Sequence, residues 1–185
     1  PEDVFIFYYA GHGIALNNND ATTFFLVTQS VTQMTDLNNC ITNGISDIEI
    51  KNLFKKIKAN KQISFIDAFN SGAMAEQFSI RGAAEENAIA KLSRSTGSAI
   101  FASTTRDQYA SKFTQIGHGV FTYVLLNAFS GKASLDNCQI TASTLKGFID
   151  EEVPIVTQKY KGSEQFPTTF MFGQDFPIGI KCRKN

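Results

Sequence analysis

The sequence predicts an α/β domain with a mainly parallel sheet flanked by helices. Short apolar runs, typical of buried strands, alternate with stretches of helical periodicity. The runs cover 4–9, 62–68 and 98–104, and the helical stretches cover 46–59, 83–95 and 120–129. This alternation favours parallel strands with helices on both faces of the sheet. The 185 residues suit one domain with a single core, and the chain contains no linker or internal repeat.

The first part of the chain supplies two strands and a polar stretch. Residues 4–9 are apolar without interruption, which is typical of a strand buried on both faces. A cluster of turn-forming residues at 17–20 leads into a second strand at 22–27. The polar residues 28–45, rich in Asn, Thr and Gln, predict a surface loop.

A capping box begins the first predicted helix. Ser46 and Glu49 are three residues apart, so each side chain can accept from the other residue's backbone N–H. Apolar residues then recur at helical spacing, which predicts a helix as far as residue 59. The next apolar run, 62–68, predicts a buried strand, and residues 72–81 predict a mobile loop.

Three further elements follow the third buried strand. The helix at 120–129 has apolar residues along one face, and the helix at 141–152 should end at Pro154 because proline breaks helices. Residues 168–172 predict the last strand of the fold. Its position should be a sheet edge, since Pro167 directly precedes it.

Composition excludes several classes of partner. The chain has 17 Lys and Arg against 17 Asp and Glu, so charge gives no reason to expect nucleic acid or an anionic membrane as partner. No apolar run approaches the roughly 20 residues needed to cross a bilayer. Cys40, Cys138 and Cys182 are odd in number and far apart. We therefore expect no disulfide framework, no zinc or other metal site, and a reducing, cytoplasmic location.

The apolar run at 4–9 leads into a Gly-His-Gly motif at 11–13. Open α/β sheets keep their active sites at the carboxyl ends of strands, and an imidazole suits a general base or acid near neutral pH. The glycines beside His12 would let a substrate chain approach closely. Alternatively, His12 only caps the strand end through hydrogen bonds. The other histidine, His118, precedes a helix and is expected to be structural.

The second buried strand ends in the turn D-A-F-N-S-G at 67–72. Small residues and a glycine around one position are what a nucleophile-bearing turn requires. Backbone N–H groups at Gly13 and Phe69 could form an oxyanion hole, and a thiol at position 69 beside His12 would form a Cys–His dyad. The residue present is Phe69, whose phenyl ring cannot attack a carbonyl.

Y-Y-A-G-H-G at 8–13 followed by D-A-F-N-S-G at 67–72 resembles the caspase-like cysteine peptidases, especially the bacterial caspase-like proteins and metacaspases. Caspases carry the catalytic His upstream of the Cys at a similar spacing. Further matches lie at 102–104, 117–123 and 165–167. The resemblance therefore covers nearly the whole chain.

The resemblance implies a caspase-like three-layer sandwich in which residues 1–185 form one domain, the later part of the fold. The first strands of the family fold are missing from this sequence. An upstream segment or a second chain is therefore expected to complete the sheet. The resemblance also implies a protein or peptide substrate and no cofactor.

By the same resemblance, His12 is the catalytic histidine and Phe69 occupies the position of the nucleophilic Cys, so the chain is expected to be inactive. Ser71 is expected to form the turn rather than replace the nucleophile. Asp67, with Ser103, would line a pocket for Arg or Lys at the cut. Alternatively, Asp67 only accepts hydrogen bonds from backbone N–H groups at the strand end.

Two functions stay open at this point. One is a cysteine endopeptidase in a disabled form, and the other is a natural pseudo-peptidase that binds peptides or partner proteins without cutting them. A small-molecule α/β enzyme has less support, because no phosphate-binding glycine motif follows any predicted strand.

Overall fold

A computed structural model describes residues 2–18, 21–33, 36–69, 82–103, 117, 119–162 and 164–183. The predicted α/β fold, with parallel central strands flanked by helices, is confirmed. The strands are β1 (Val4–Asn18), β2 (Ala21–Leu26), β3 (Ile45–Ser46), β4 (Lys61–Phe69), β5 (Ala99–Ala102), β6 (Gln139–Thr141), β7 (Thr168–Phe170) and β8 (Pro177–Ile180). The helices are α1 (Leu37–Asn43), α2 (Asp47–Phe54), α3 (Gly82–Thr96), α4 (Val120–Asn127) and α5 (Ala142–Lys161).

The main sheet has the strand order β3-β2-β1-β4-β5-β7. Its centre is parallel, because β4 pairs in parallel with both β1 and β5. The remaining strands join antiparallel, and β7 takes the edge position predicted from Pro167. Strands β6 and β8 form a separate two-stranded antiparallel sheet. Parallel pairing at the centre places Phe69, at the carboxyl end of β4, beside His12 in the interior of β1.

Two apolar cores make the domain a three-layer structure. Alternate residues of β4 point to opposite faces of the sheet. Ile63 and Phe65 pack with α4 and α5 on one face, whereas Ile66 packs with α2 and α3 on the other. Phe65 and Phe101 stack at a centroid distance of 5.4 Å within the first core. Both faces of the central strands are therefore covered, as expected for a parallel sheet.

The first strand is not buried on both faces as its apolar run predicted. Ile6 is 49% exposed and Tyr8 48% exposed. The cause lies in the pairing of β1. Strand β4 lies along its first half, but β2 pairs only with Gly13–Asn18. Within the described ranges no strand therefore covers the other side of residues 4–12.

Helix boundaries differ from the predictions in three places. Residues 28–45 contain α1, which begins at the N-cap Asp36, rather than only a loop. The capping box of Ser46 and Glu49 is present, but α2 ends at Phe54. Helix α5 continues through Pro154 to Lys161 and ends at the left-handed Gly162. Strand β8 was not predicted, and the predicted loop at 72–81 lies outside the described residues.

The expectation of no disulfide is wrong. Cys138 and Cys182 form one, with their Cα atoms 4.2 Å apart. They are 44 residues apart in sequence, and the antiparallel pairing of β6 with β8 brings them together. Cys40 is a buried free thiol. The cysteine count therefore gives no support for a reducing compartment. No helix within the described ranges is both long and apolar enough to cross a bilayer.

Candidate active site

The two motifs singled out in the sequence lie on neighbouring strands, but the Gly-His-Gly motif does not end its strand as expected, because β1 continues to Asn18 by pairing with β2. In the parallel register of β1 and β4, Ala10 is opposite Asp67 and His12 is opposite Phe69. Adjacent strands lie about 4.8 Å apart. The structure therefore brings the backbone of His12 next to the backbone of position 69. The side chain of Phe69 is outside the described part of the molecule.

The backbone of His12 is fixed by contacts from two directions. Its carbonyl oxygen accepts from the N–H of Val27 at 2.9 Å, and the hydroxyl of Tyr9 lies 2.7 Å away. The same hydroxyl lies 2.8 Å from the carbonyl oxygen of Val27. Burial raises the pKa of Tyr9, so this hydroxyl keeps its proton at neutral pH and can donate. These hydrogen bonds fix the part of β1 that carries His12.

The glycines beside His12 serve packing inside the domain. A Cβ at Gly11 would lie 2.6 Å from the hydroxyl oxygen of Tyr9, and a Cβ at Gly13 would lie 2.7 Å from the ring of Phe24. The sequence suggested that these glycines leave room for a substrate. The structure instead fills the space with two rings of the chain itself.

The carboxylate of Asp67 is almost fully buried, with 1% of the residue exposed. Its Oδ1 accepts from the hydroxyl of Ser103 at 3.0 Å, and its Oδ2 accepts from the hydroxyl of Thr122 at 2.5 Å. Since Thr122 has only one proton to give, the hydroxyl of Tyr8, at 2.9 Å, donates to Thr122. Among the described contacts, Asp67 thus accepts from a directed chain of hydroxyl donors.

Asp67 and Ser103 line one pocket, as the resemblance implied they might. The pocket is narrow, with a volume of only about 10 Å³, and is lined by Asp67, Ser103, Val120, Phe121, Val153, Gln165, Phe166 and Pro167. The walls from α4 and α5 are apolar, and the carboxylate is the one charged group among the described lining residues. A carboxylate in a mainly apolar pocket is complementary to a cation on an aliphatic stem, and this pocket would have to widen to admit one.

Sequence reasoning did not assign a role to Thr122 or Tyr8. Both lie inside stretches quoted for the resemblance, but their contact spans 114 residues and depends on how α4 lies over β1. Two other residues considered in the sequence, Ser71 and His118, fall outside the described residues. No group of three or more potential metal-binding side chains occurs within the described ranges.

Comparison with known proteins agrees with this geometry. A family model for the caspase domain matches residues 1–170. A search of curated proteins found no matching relative. The match covers β1 to β7, and so includes both motif-bearing strands, the pocket walls and the edge strand. The chain therefore belongs to the caspase domain family.

Proposed function

We propose that this domain is a caspase-type cysteine endopeptidase disabled at its nucleophile. The observation that carries the proposal is the register of β1 and β4, in which His12 lies opposite position 69. A Cys there would be adjacent to the histidine that could accept its proton. Phe69 offers no nucleophilic atom, so the chain as written should not form an acyl-enzyme.

The remaining parts of a peptidase site are proposed as follows. His12 acts as the general base, and backbone N–H groups at Gly13 and Phe69 form the oxyanion hole. Phe69 ends β4, and Gly13 directly follows the β1 residue opposite it, so the two N–H groups would be close enough to converge on one developing oxyanion. The hydrogen bonds from Tyr9 and Val27 to the carbonyl oxygen of His12 hold its backbone in place and support this assignment.

The proposed specificity is for Arg or Lys on the amino side of the cut. Asp67, with Ser103 beside it, provides the one negative charge among the described residues that line its pocket. A buried carboxylate held by hydroxyl donors has no cation partner of its own in the described contacts, and a substrate guanidinium or ammonium would supply one. An aspartate side chain would meet like charge and be rejected.

The second candidate is a natural pseudo-peptidase that binds peptides or partner proteins. The observation in its favour is that the Asp67 pocket is complete although position 69 carries Phe. Phe is also a disruptive choice for simple inactivation, because Ala or Ser would disturb the site less. In this case the function would be binding in the cleft, and it would not require a thiol at position 69.

Restoring the nucleophile separates the two candidates. Phe69→Cys should cleave fluorogenic peptides with Arg or Lys at the cut and leave those with Asp intact. Phe69→Cys combined with His12→Ala is the matched control and should be inactive. Asp67→Asn in the Phe69→Cys background should lower kcat/KM for Arg and Lys peptides by about 30-fold or more, since it removes the charge partner. A preference for Asp peptides would contradict the pocket assignment.

Failure to cleave has a defined meaning in this experiment. If Phe69→Cys folds, as judged by its circular dichroism, and still cleaves none of the peptides, the disabled-peptidase proposal is wrong. Retained binding of Arg peptides by the unmodified protein would then favour the pseudo-peptidase. Loss of that binding in Asp67→Asn would show that it uses the same pocket.

We also propose that an upstream segment or a second chain adds a strand to the open side of β1. The support is that residues 4–12 are paired on one side only within the described ranges, with Ile6 and Tyr8 half-exposed. Amide hydrogen exchange at 4–9 should slow in a protein that includes the added segment. Unchanged exchange would rule the pairing out.

A cytoplasmic location stays a proposal. The absence of nucleic acid or membrane partners is also a proposal, and the balanced charge supports it. The disulfide between Cys138 and Cys182 argues in the other direction, because such bonds persist mainly in oxidising compartments. Alkylation of the protein at the moment of cell lysis, followed by mass spectrometry, measures its thiol state in place. A fully oxidised pair would contradict the cytoplasmic proposal.

A further inference from the structure

A second groove lies where the end of α4 meets the C-terminal segment. It has a volume of about 830 Å³ and is lined by Leu126, Phe129, Ser130, Lys132, Lys181 and Arg183. None of these residues lines the Asp67 pocket. The groove is therefore a separate surface, hereafter the basic groove, and its chemistry is independent of the proposed peptidase.

Three cations surround the basic groove. Lys132, Lys181 and Arg183 are all exposed, and none of them forms an ion pair within the described part of the chain. Three uncompensated charges around one concavity produce a local positive potential, although the chain as a whole has equal numbers of acidic and basic residues. The groove is thus electrostatically complementary to an anionic ligand.

The floor of the groove is apolar and firm. Leu126 is 51% exposed. Phe129 packs edge-on against Phe65 of the core, with ring centroids 6.0 Å apart. An exposed leucine beside an anchored aromatic ring offers a surface for a large apolar side chain. A ligand that fits both features carries negative charge next to an apolar group.

The C-terminal wall is held in place covalently. Cys182, between the two cations Lys181 and Arg183, is bonded to Cys138. The N–H of Lys181 donates to the carbonyl oxygen of Cys138 at 2.7 Å. The carbonyl oxygen of Cys182 packs against Gly131, where a Cβ would lie only 2.5 Å away. The backbone that carries two of the three cations is therefore fixed before any ligand binds, which lowers the ordering cost of binding.

We propose that the basic groove binds an acidic peptide segment that carries a large apolar side chain. The carboxylates would pair with Lys132, Lys181 and Arg183, and the apolar side chain would contact Leu126 and Phe129. A peptide fits better than a membrane because the charges line a concavity, whereas a bilayer surface needs an exposed face. With only three cations involved, the interaction should be specific in geometry and sensitive to salt.

The test uses a short fluorescein-labelled peptide of alternating Glu or Asp with Leu and Phe, and fluorescence anisotropy as readout. The oxidised protein should bind it, and the triple variant Lys132→Glu, Lys181→Glu, Arg183→Glu should bind at least about tenfold more weakly. The matched control reverses three exposed lysines on and after α2, Lys55, Lys56 and Lys58, and should bind as the unmodified protein does.

Two further measurements make the result decisive. A peptide with Asn and Gln in place of its acids should bind weakly, and raised salt should weaken the acidic peptide. Equal loss in the triple variant and its control, or no binding of the acidic peptide by the unmodified protein, would overturn the proposal. So would binding to vesicles of phosphatidylserine and phosphatidylcholine in preference to the peptide.

Discussion

Removal of the Cys138–Cys182 disulfide should cost a large part of the stability of the domain. The bond closes a loop in which the two cysteines are 44 residues apart. For a loop of this length, the chain-entropy relation gives an entropy loss in the unfolded state equivalent to about 4 kcal/mol at 25 °C. Typical domains are stable by only about 5–15 kcal/mol. The double variant Cys138→Ala, Cys182→Ala should therefore be marginal.

Urea unfolding of the oxidised and reduced proteins measures this contribution. The midpoint of the unmodified protein should fall on addition of reductant, and the double variant should unfold at a similarly low midpoint with no response to reductant. Intact mass spectrometry under denaturing conditions should show the oxidised protein two hydrogens lighter than the reduced one.

Two results would refute this prediction. Three free thiols in the protein purified without reductant would mean that the bond does not form. An unfolding midpoint that is insensitive to reductant, in protein shown to be oxidised, would mean that the loop is already restricted in the unfolded state. The buried Cys40 provides a control, since labelling of it should require unfolding in either redox state.

Two further predictions concern the packing of the site. Thr122→Val leaves a buried oxygen of Asp67 without its donor and should lower the free energy of unfolding by about 1–3 kcal/mol, whereas Thr122→Ser keeps the hydroxyl and should cost less. Equal losses in urea melts would show that this hydroxyl is unimportant. Gly13→Ala should destabilise by about 1–3 kcal/mol because its Cβ would meet the ring of Phe24. Gly147→Ala, which meets nothing within 4 Å in the middle of α5, should stabilise by about 0.5–1 kcal/mol; a thermal shift of the same sign in both variants would contradict this account.

Local signals in the sequence predicted local structure well. The capping box of Ser46 and Glu49 is formed by atoms three residues apart, and its hydrogen bonds are present. Parallel pairing of the buried strands was also expected from the alternation of strands and helices, and β1 and β4 do pair in parallel, with His12 opposite Phe69. In these cases the structure depends on interactions between residues close in sequence, or on the order of strands and helices, and both can be recognised in the sequence.

The failures occur where distant contacts override local preference. Pro154 removes an N–H from α5, yet the helix continues because Ile149 and Val153 before it and Thr157 after it are buried. Thr157 also bonds to the carbonyl oxygen of Val153 at 2.8 Å. Pairing of Cys138 with Cys182 likewise depends on β8, which the sequence did not reveal. Neither the burial of α5 around Pro154 nor the pairing of Cys138 with Cys182 can be recognised from the residues close by in sequence.

The candidate site was predictable to the same extent. Asp67 is near the carboxyl end of β4, and Ser103 comes directly after β5. Their proximity could therefore be inferred from the order of the strands. The donors Thr122 and Tyr8 could not be inferred, because their positions depend on the angle at which α4 crosses the sheet. A helix crossing angle is set by packing along the whole face rather than by any one residue.

The open side of β1 has a consequence for the behaviour of the isolated chain. A strand with unsatisfied backbone groups along one side is a template for edge-to-edge pairing with a second copy. Half-exposed Ile6 and Tyr8 would add apolar contact to such a pair. The acidic residues Glu2 and Asp3, exposed at the start of the strand, act as gatekeepers because like charges would repel across a paired edge. Aggregation at high concentration should therefore increase in the double variant Glu2→Gln, Asp3→Asn.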